Sequence, residues 1–238
     1  MTDELVAVAA STIAVIPAKD EELCVAGVVT ALRAAGVNRV RVVDNGSIDD
    51  TASAARRAGA ELLSEPIRGY GRACWKGIQH LPQDVEWILF CDADGSDDLA
   101  CLPALFTAAQ CADLMLGRRL PMPDGRTALT PTQKFGNALA TTLIRWGWGF
   151  RYHDLGPFRM IRRSALEALQ MRDRSWGWTV EMQVRAVEEG LRIVELPVSS
   201  HPRVAGYSKI SGTFRGSFLA GTTILATLAK LFLRRWTS

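Results

Sequence analysis

Two carboxylates one residue apart leave an apolar run in Leu89-Phe90-Cys91-Asp92-Ala93-Asp94-Gly95-Ser96. Burying both charges unpaired would be very costly, so they belong at the exposed end of a strand. Hard oxygen ligands there suit Mg²⁺ or Mn²⁺ bridging a diphosphate, and such a metal acts as a Lewis acid on the leaving group. The residues alone also allow a plainer reading, an acidic turn, since Asp97 and Asp98 are good caps for a helix starting near Leu99. A second polar run, Asp44-Asn45-Gly46-Ser47-Ile48-Asp49-Asp50-Thr51, ends another apolar stretch. Gly46 permits a tight turn, Asp49 or Asp50 can cap a helix, and Asp44 is placed to accept hydrogen bonds from a base or ribose. Pro17-Ala18-Lys19-Asp20-Glu21-Glu22 is a third run of this kind.

These runs need a scaffold that brings them together. Strands are expected at 12–16, 39–43, 61–64, 87–91 and 113–116, where residues are β-rich or continuously apolar. Helical patterns fill 21–35, 50–58, 71–80 and 99–109. Strand and helix in alternation give an α/β fold with a mostly parallel central sheet flanked by helices, a Rossmann-like nucleotide-binding arrangement. Ligands of such sheets bind beyond the carboxyl ends of the strands, where all three polar runs fall. The second half is less regular: a helix at 130–148, a strand at 157–161, a helix at 178–189 and a strand at 191–197. Residues 205–212, with Gly and Ser, have a mobile composition.

A chain of 238 residues can hold one large core, and 48% hydrophobic with 22% charged residues is ordinary for a globular protein. A net charge of +3 is too small to argue for nucleic acid. The five cysteines include no C-x-x-C pair, so reduced thiols in the cytoplasm are expected. Asp3 and Glu4 stand where an export signal would be positive. Residues 216–233 are long enough to be tested as a membrane span. Yet Ser217, Thr223, Thr227, Lys230 and Arg234 form one stripe and Phe218, Leu225, Leu228 and Phe232 another. One domain over 1–213 with an amphipathic helix over 214–238 is the expected division. That helix packs on the domain, lies on a membrane surface or spans the membrane.

Taken together, the three runs resemble the nucleotide-sugar half of family 2 glycosyltransferases, with a P-x-x-[ND]-E run, a D-D-G-S-x-D-x-T run and a later D-x-D. Asn45 and Asp50 depart from the second pattern. Arg68-Gly69-Tyr70-Gly71-Arg72-Ala73 resembles the family's basic Gly-rich segment. Downstream, Gly117-Arg118-Arg119, Lys134-Phe135-Gly136-Asn137, 154–159 (DLGPFR), 177–182 (GWTVEM) and 203–209 (RVAGYSK) resemble segments of dolichyl- and polyprenyl-phosphate sugar transferases. The resemblance runs from about residue 13 to 209 and rests on eight motifs in order.

It implies a GT-A fold and a metal-dependent inverting transfer of a hexose from a nucleotide diphosphate sugar. Asp92 and Asp94 would hold Mg²⁺ or Mn²⁺. Pro17, Ala18, Asp20, Glu21, Asp44, Gly46, Ser47, Arg68, Gly69, Arg72 and Asp92 would bind the nucleotide. Arg118, Lys134, Arg203, Ser208 and Lys209 would surround an acceptor phosphate. Glu181 and Asp154 complete the catalytic set: a lipid phosphate is already anionic, whereas a soluble hydroxyl acceptor would need one of them as base. Trp176 and Trp178 have the best claim among the tryptophans to line the acceptor site, and His153 could approach the metal. The expected place is the cytoplasm, with a peripheral position at the inner face of the membrane for a lipid acceptor. Two rivals remain. Asp92 could be the nucleophile of a haloacid-dehalogenase-type phosphohydrolase, but that motif usually opens its domain and no later G-D-x-x-x-D run follows. A silent nucleotide-sugar or membrane-binding module would not need the intact acidic pair.

Overall fold

A computed structural model describes residues 2–119, 129–199 and 214–235, with side chains from 221 onward in the last segment. Strands β1 (Thr12–Ala18), β2 (Arg39–Asp44), β3 (Glu61–Ser64), β4 (Trp87–Phe90), β5 (Leu114–Arg119), β6 (Arg159–Arg162) and β7 (Ile193–Val198) form one sheet in the order β3-β2-β1-β4-β6-β5-β7. All neighbours run parallel except β6, which is antiparallel to both β4 and β5. The helices are α1 (Asp3–Ala10), α2 (Val25–Ala34), α3 (Thr51–Arg57), α4 (Tyr70–Gly77), α5 (Leu102–Ala108), α6 (Pro131–Trp148), α7 (Arg163–Leu169), α8 (Trp178–Glu188) and α9 (Phe214–Arg235).

Alternation along the strands feeds two cores. Ala14, Ile16, Val42 and Leu89 face α2, α3 and α5, and meet Val29, Leu32, Ala55 and Phe106. Ile13, Val15, Val43, Ile88 and Phe90 face the other way and meet Ala73, Ile144, Leu166, Trp178 and Val184. Strands buried on both faces read as unbroken apolar runs, which is why the sequence marks them so clearly.

Two helices escape the sequence pattern. α1 is short and places Glu4 beside Gln110 (2.7 Å), next to α5. α7 follows β6 with no turn signal between them. The helix expected from residue 21 begins at Val25, because the amides of 20–22 are spent on the 47–51 turn instead. α9 packs on α6 and α8, with Thr227, Leu228 and Leu231 buried. Leu228 therefore turns inward, while Leu225, Phe232 and Leu233 stay exposed. No helix among the described residues is long and apolar enough to cross a membrane.

Candidate active site

Strand register brings the first three polar runs to one edge. Ala18 pairs with Asp44, and Val15 pairs with Phe90, so Asp92 lies level with Pro17 one strand away. β6 runs the opposite way, so its amino end, and the turn before it that carries Asp154, reaches this same edge.

The first two runs are one structure. Lys19 Nζ donates to the Gly46 carbonyl (3.0 Å), the Asp20 amide to Ser47 Oγ (2.9 Å) and the Glu21 amide to Thr51 Oγ1 (2.7 Å). The Ile48 amide returns a bond to Asp20 Oδ1 (2.8 Å). Asp20 sits at φ +49°, a left-handed conformation that Asp tolerates better than most residues. Asp44 is half-buried and accepts from the Ser47 amide through Oδ1 (3.1 Å), while Oδ2 has no hydrogen-bond partner among the described residues.

Asn45 explains its departure from the family pattern. Its Nδ2 donates to the carbonyls of Glu65 (2.7 Å) and Ile67 (2.8 Å), and its Oδ1 accepts from the Gly69 amide (2.8 Å). An aspartate has no donors for those carbonyls. Asn45 thus staples the basic Gly-rich segment to the tip of β2. Gly69 has φ +154°, and a Cβ there would lie 2.7 Å from the Arg174 carbonyl. The segment is pressed against residues 172–176: the amides of Gly71 and Arg72 donate to the carbonyls of Ser175 (3.0 Å) and Arg174 (3.1 Å). Three amides at the start of α4 are therefore already engaged, which leaves side chains to meet a diphosphate here. Arg68 is exposed and Arg72 half-buried.

The acidic run crowds negative charge at the end of β4. Asp94 is only 3% exposed and accepts from the Ser96 amide (2.9 Å). Asp97 Oδ2 accepts from the Asp92 amide (2.7 Å), so it closes the turn rather than capping α5. Asp98 caps the 3-10 turn Leu99–Cys101 that leads into α5, accepting from the Ala100 amide (3.1 Å). Desolvation pushes the Asp97 carboxyl up to about 7, and the negative charge of Asp94 adds to the rise. Among the described residues no three His, Cys, Asp or Glu side chains converge on a metal position. A divalent cation would relieve this crowding. Two carboxylates leave most of its ligand positions to diphosphate oxygens and water, a donor set that Mg²⁺ and Mn²⁺ accept.

On the side of β5, β6 and α8 the two carboxylates expected to do chemistry are both held by the protein. Asp154, 4% exposed, takes a bidentate pair from Arg119 (Nε to Oδ2 2.8 Å, NH2 to Oδ1 2.7 Å) and two amide bonds, from Arg119 (2.9 Å) and Leu155 (2.8 Å). Glu181, 2% exposed, accepts the Arg172 and Asp173 amides (3.0 and 2.6 Å) and Arg185 Nε (2.9 Å). Desolvation works to lower the pKa of Arg119, but the bonds it donates to Asp154 and the charges of Asp154, Asp97 and Asp92 outweigh it. Arg119 thus ties the two sides together. Successive residues of a strand face opposite ways, so only one of Arg118 and Arg119 can meet Asp154, and nothing local in the sequence says which.

The other expected residues are spread around this edge. Arg118, half-buried, has an enclosed Nε with no hydrogen-bond partner among the described residues. Lys134 is exposed on the first turn of α6, one turn before Asn137, whose Oδ1 accepts the Leu155 amide (2.8 Å). His153 does not join the acidic run; its Nδ1 pairs with Glu195 of β7 (2.6 Å). Trp178 is a core residue against Phe90, 1% exposed, and Trp176 stacks on Tyr70. Arg203, Ser208 and Lys209 lie outside the described residues. All five cysteines are free thiols.

A sheet with this edge is found in solved glycosyltransferases of the GT-A fold. Glucosyl-3-phosphoglycerate synthase of Mycobacterium tuberculosis, solved with Mn²⁺, uridine diphosphate and glucosyl-3-phosphoglycerate, superposes with a TM-score of 0.76 at 19% identity, over 95% of this chain and 81% of that one. Residues 13–170 match glycosyl transferase family 2, and the chain belongs to that family of enzymes. An uncharacterised glycosyltransferase of Mycobacterium tuberculosis is 39% identical over 207 residues, 87% of this chain and 92% of the relative. The undecaprenyl-phosphate mannosyltransferase of Micrococcus luteus is 31% identical over 196 residues, 77% of this chain and 80% of the relative.

Proposed function

We propose that this glycosyltransferase moves a hexose, with inversion, from a nucleotide diphosphate sugar to a polyprenyl phosphate at a membrane surface. Asp92 and Asp94 would hold Mg²⁺ or Mn²⁺, which supplies charge neutralisation for the leaving nucleoside diphosphate. Asp44 would receive the nucleoside, with Asp20, Glu21 and Ser47 shaping the loop around it. Arg68 and Arg72 would meet the diphosphate. Arg118, Lys134, Arg203, Ser208 and Lys209 would receive the acceptor phosphate, and the orphaned Nε of Arg118 suits an anionic oxygen.

One observation carries the choice of acceptor. Asp154 and Glu181, the two base candidates, spend their carboxylate oxygens on seven bonds from the protein. A hydroxyl acceptor needs its proton removed; a phosphate is already anionic and needs only orientation. Asp154 and Glu181 are accordingly read as positioning residues. The lipid part of the proposal is supported by α6 and α9. Their sequences contain no Asp or Glu. They pack together and expose Phe135, Trp146, Leu225, Phe232 and Leu233 beside Lys134, Arg145, Lys230, Arg234 and Arg235. Apolar side chains framed by cations are what an anionic lipid surface attracts.

The second reading keeps the donor chemistry and changes the acceptor to a soluble molecule, as the name of the phosphoglycerate enzyme of the same fold suggests. Purified full-length enzyme with Mn²⁺ and either a UDP- or a GDP-hexose should glycosylate a short-chain polyprenyl phosphate. Transfer to phosphoglyceric acid or a hydroxyl acceptor alone would replace the lipid reading with the second one.

A further inference from the structure

Arg159 is the least exposed charged side chain among the described residues, at 1%, on the strand that pairs with the end of β4. Its guanidinium makes no ion pair with a carboxylate among the described residues. It donates instead to three main-chain carbonyls: Gly156 (2.5 Å), Pro157 (3.3 Å) and Thr179 (3.0 Å). The first two belong to the turn after Asp154, and the third to the first turn of α8, two residues before Glu181. Burying a cation with only carbonyls around it is expensive, and an apolar side chain of similar volume is often as stable or more so. Burial pushes the guanidinium's pKa down while Tyr70, Cys74, Tyr152 and Asp154 pull it up. Even so, an arginine stays charged at neutral pH. Arg159 is the register partner of Phe90, two residues before Asp92, and shares the sheet face on which Phe90 joins Ala73, Cys74 and Trp178. The cation therefore lies on the α4 side of the acidic run, beneath the edge where the diphosphate is proposed to sit.

We propose that Arg159 is a positioning residue whose charge, rather than its packing, the transfer reaction needs. It locks the 154–157 turn to α8, and it gives the acidic floor a fixed counter-charge that favours a metal–diphosphate over the bare carboxylates. The inference rests on the reading of Asp92 and Asp94 as the metal–diphosphate site.

The test compares Arg159→Lys, which keeps the charge with fewer donors, and Arg159→Gln, which keeps donors without charge. Calorimetric titration of Mn²⁺ with inorganic pyrophosphate avoids any dependence on the base or sugar. Arg159→Lys should bind within about threefold of the parent and Arg159→Gln about tenfold more weakly, ~1.4 kcal/mol. Arg159→Gln should melt no lower than Arg159→Lys, since it loses a buried charge. Binding by Arg159→Gln equal to the parent would overturn the proposal. So would equal losses in both variants that track their melting temperatures, which would make Arg159 a packing residue. An Asp94→Ala control that binds Mn²⁺–pyrophosphate undiminished would sink the site reading itself, separately from Arg159.

Discussion

The two sides of the sheet's carboxyl edge use carboxylates in opposite ways. On the side of β1, β2 and β4, Asp44 keeps one oxygen without a hydrogen-bond partner among the described residues, and Asp92, Asp94 and Asp97 share one turn in which burial, with the charge of Asp94 adding to it, pushes Asp97 up to about 7. On the side of β5, β6 and α8, Asp154 and Glu181 are buried and bonded to arginines and amides. The first set gathers carboxylates around one turn; the second pairs each carboxylate with an arginine and main-chain amides. An acidic side chain at a strand end is thus no guide to chemistry until its partners are counted.

The sharpest way to break this comparison is Asp94→Ala. If the crowded set is the metal–diphosphate site, transfer should fall by roughly a thousandfold or more, with the melting temperature held within a few degrees. Mn²⁺-dependent binding of nucleoside diphosphate should vanish with it. Full activity in the variant would move the chemistry elsewhere.

Next in size is Asp154→Asn. An amide cannot balance Arg119, so the partly buried guanidinium loses its partner at about 2–3 kcal/mol, or roughly 5–10 °C in a chain of this length. A general base would behave differently. Its loss would leave the melting temperature alone, lower kcat and abolish the acid limb of the pH profile. Calorimetry and a kcat–pH series on the same preparation decide between the two.

The contrast also governs how much could be read from the sequence. The five expected strands of the first half are present, and the clusters 17–22 and 44–51 were legible as neighbours because their bonds join adjacent strand ends. Parallel pairing alone makes them neighbours. The roles of Asn45 and Arg119 were not legible. Asn45 acts on carbonyls 20 and 22 residues away, and Arg119 on a carboxylate 35 residues away across an antiparallel strand. The pairing of Asp154 with Arg119 was invisible for the same reason, whereas the partner of Glu181, Arg185, stands four residues on along α8, a spacing that a helix brings together. The stripe along α9 was legible as amphipathic, but which part faces inward depended on α6 and α8, and Leu228 proved to be core.

A smaller effect should separate nucleoside from diphosphate recognition. Asp44→Ala should weaken nucleoside diphosphate binding by about tenfold, the worth of one charge-assisted hydrogen bond, and leave Mn²⁺–pyrophosphate binding unchanged. Equal losses for both ligands would make Asp44 a turn residue, holding Ser47 and nothing more.

The smallest effect on turnover, and the one that bears on the acceptor, concerns the exposed end of α9. Deleting the helix would be a poor test, because Leu228, Leu231 and Thr227 are buried against α6 and α8, and Thr227 also bonds Asp173 (3.2 Å) in the segment pressed on the start of α4. Its loss would disturb the donor side as well. Leu225→Ser with Leu233→Ser changes side chains that are 38% and 66% exposed, and spares Phe232, whose ring packs edge-on against Trp148 of α6. Each side chain fully buried in a lipid interface contributes about 1.5–3 kcal/mol, and partial insertion a fraction of that. The double variant should therefore bind anionic vesicles severalfold to tenfold more weakly in sedimentation, and transfer to vesicle-borne polyprenyl phosphate should fall in step. Binding of nucleoside diphosphate and transfer to a detergent-solubilised acceptor should not change. If vesicle binding is unaffected, or if the parent ignores vesicles altogether, the exposed face of α6 and α9 is not a membrane surface. The acceptor then has to reach the Asp154 turn from water.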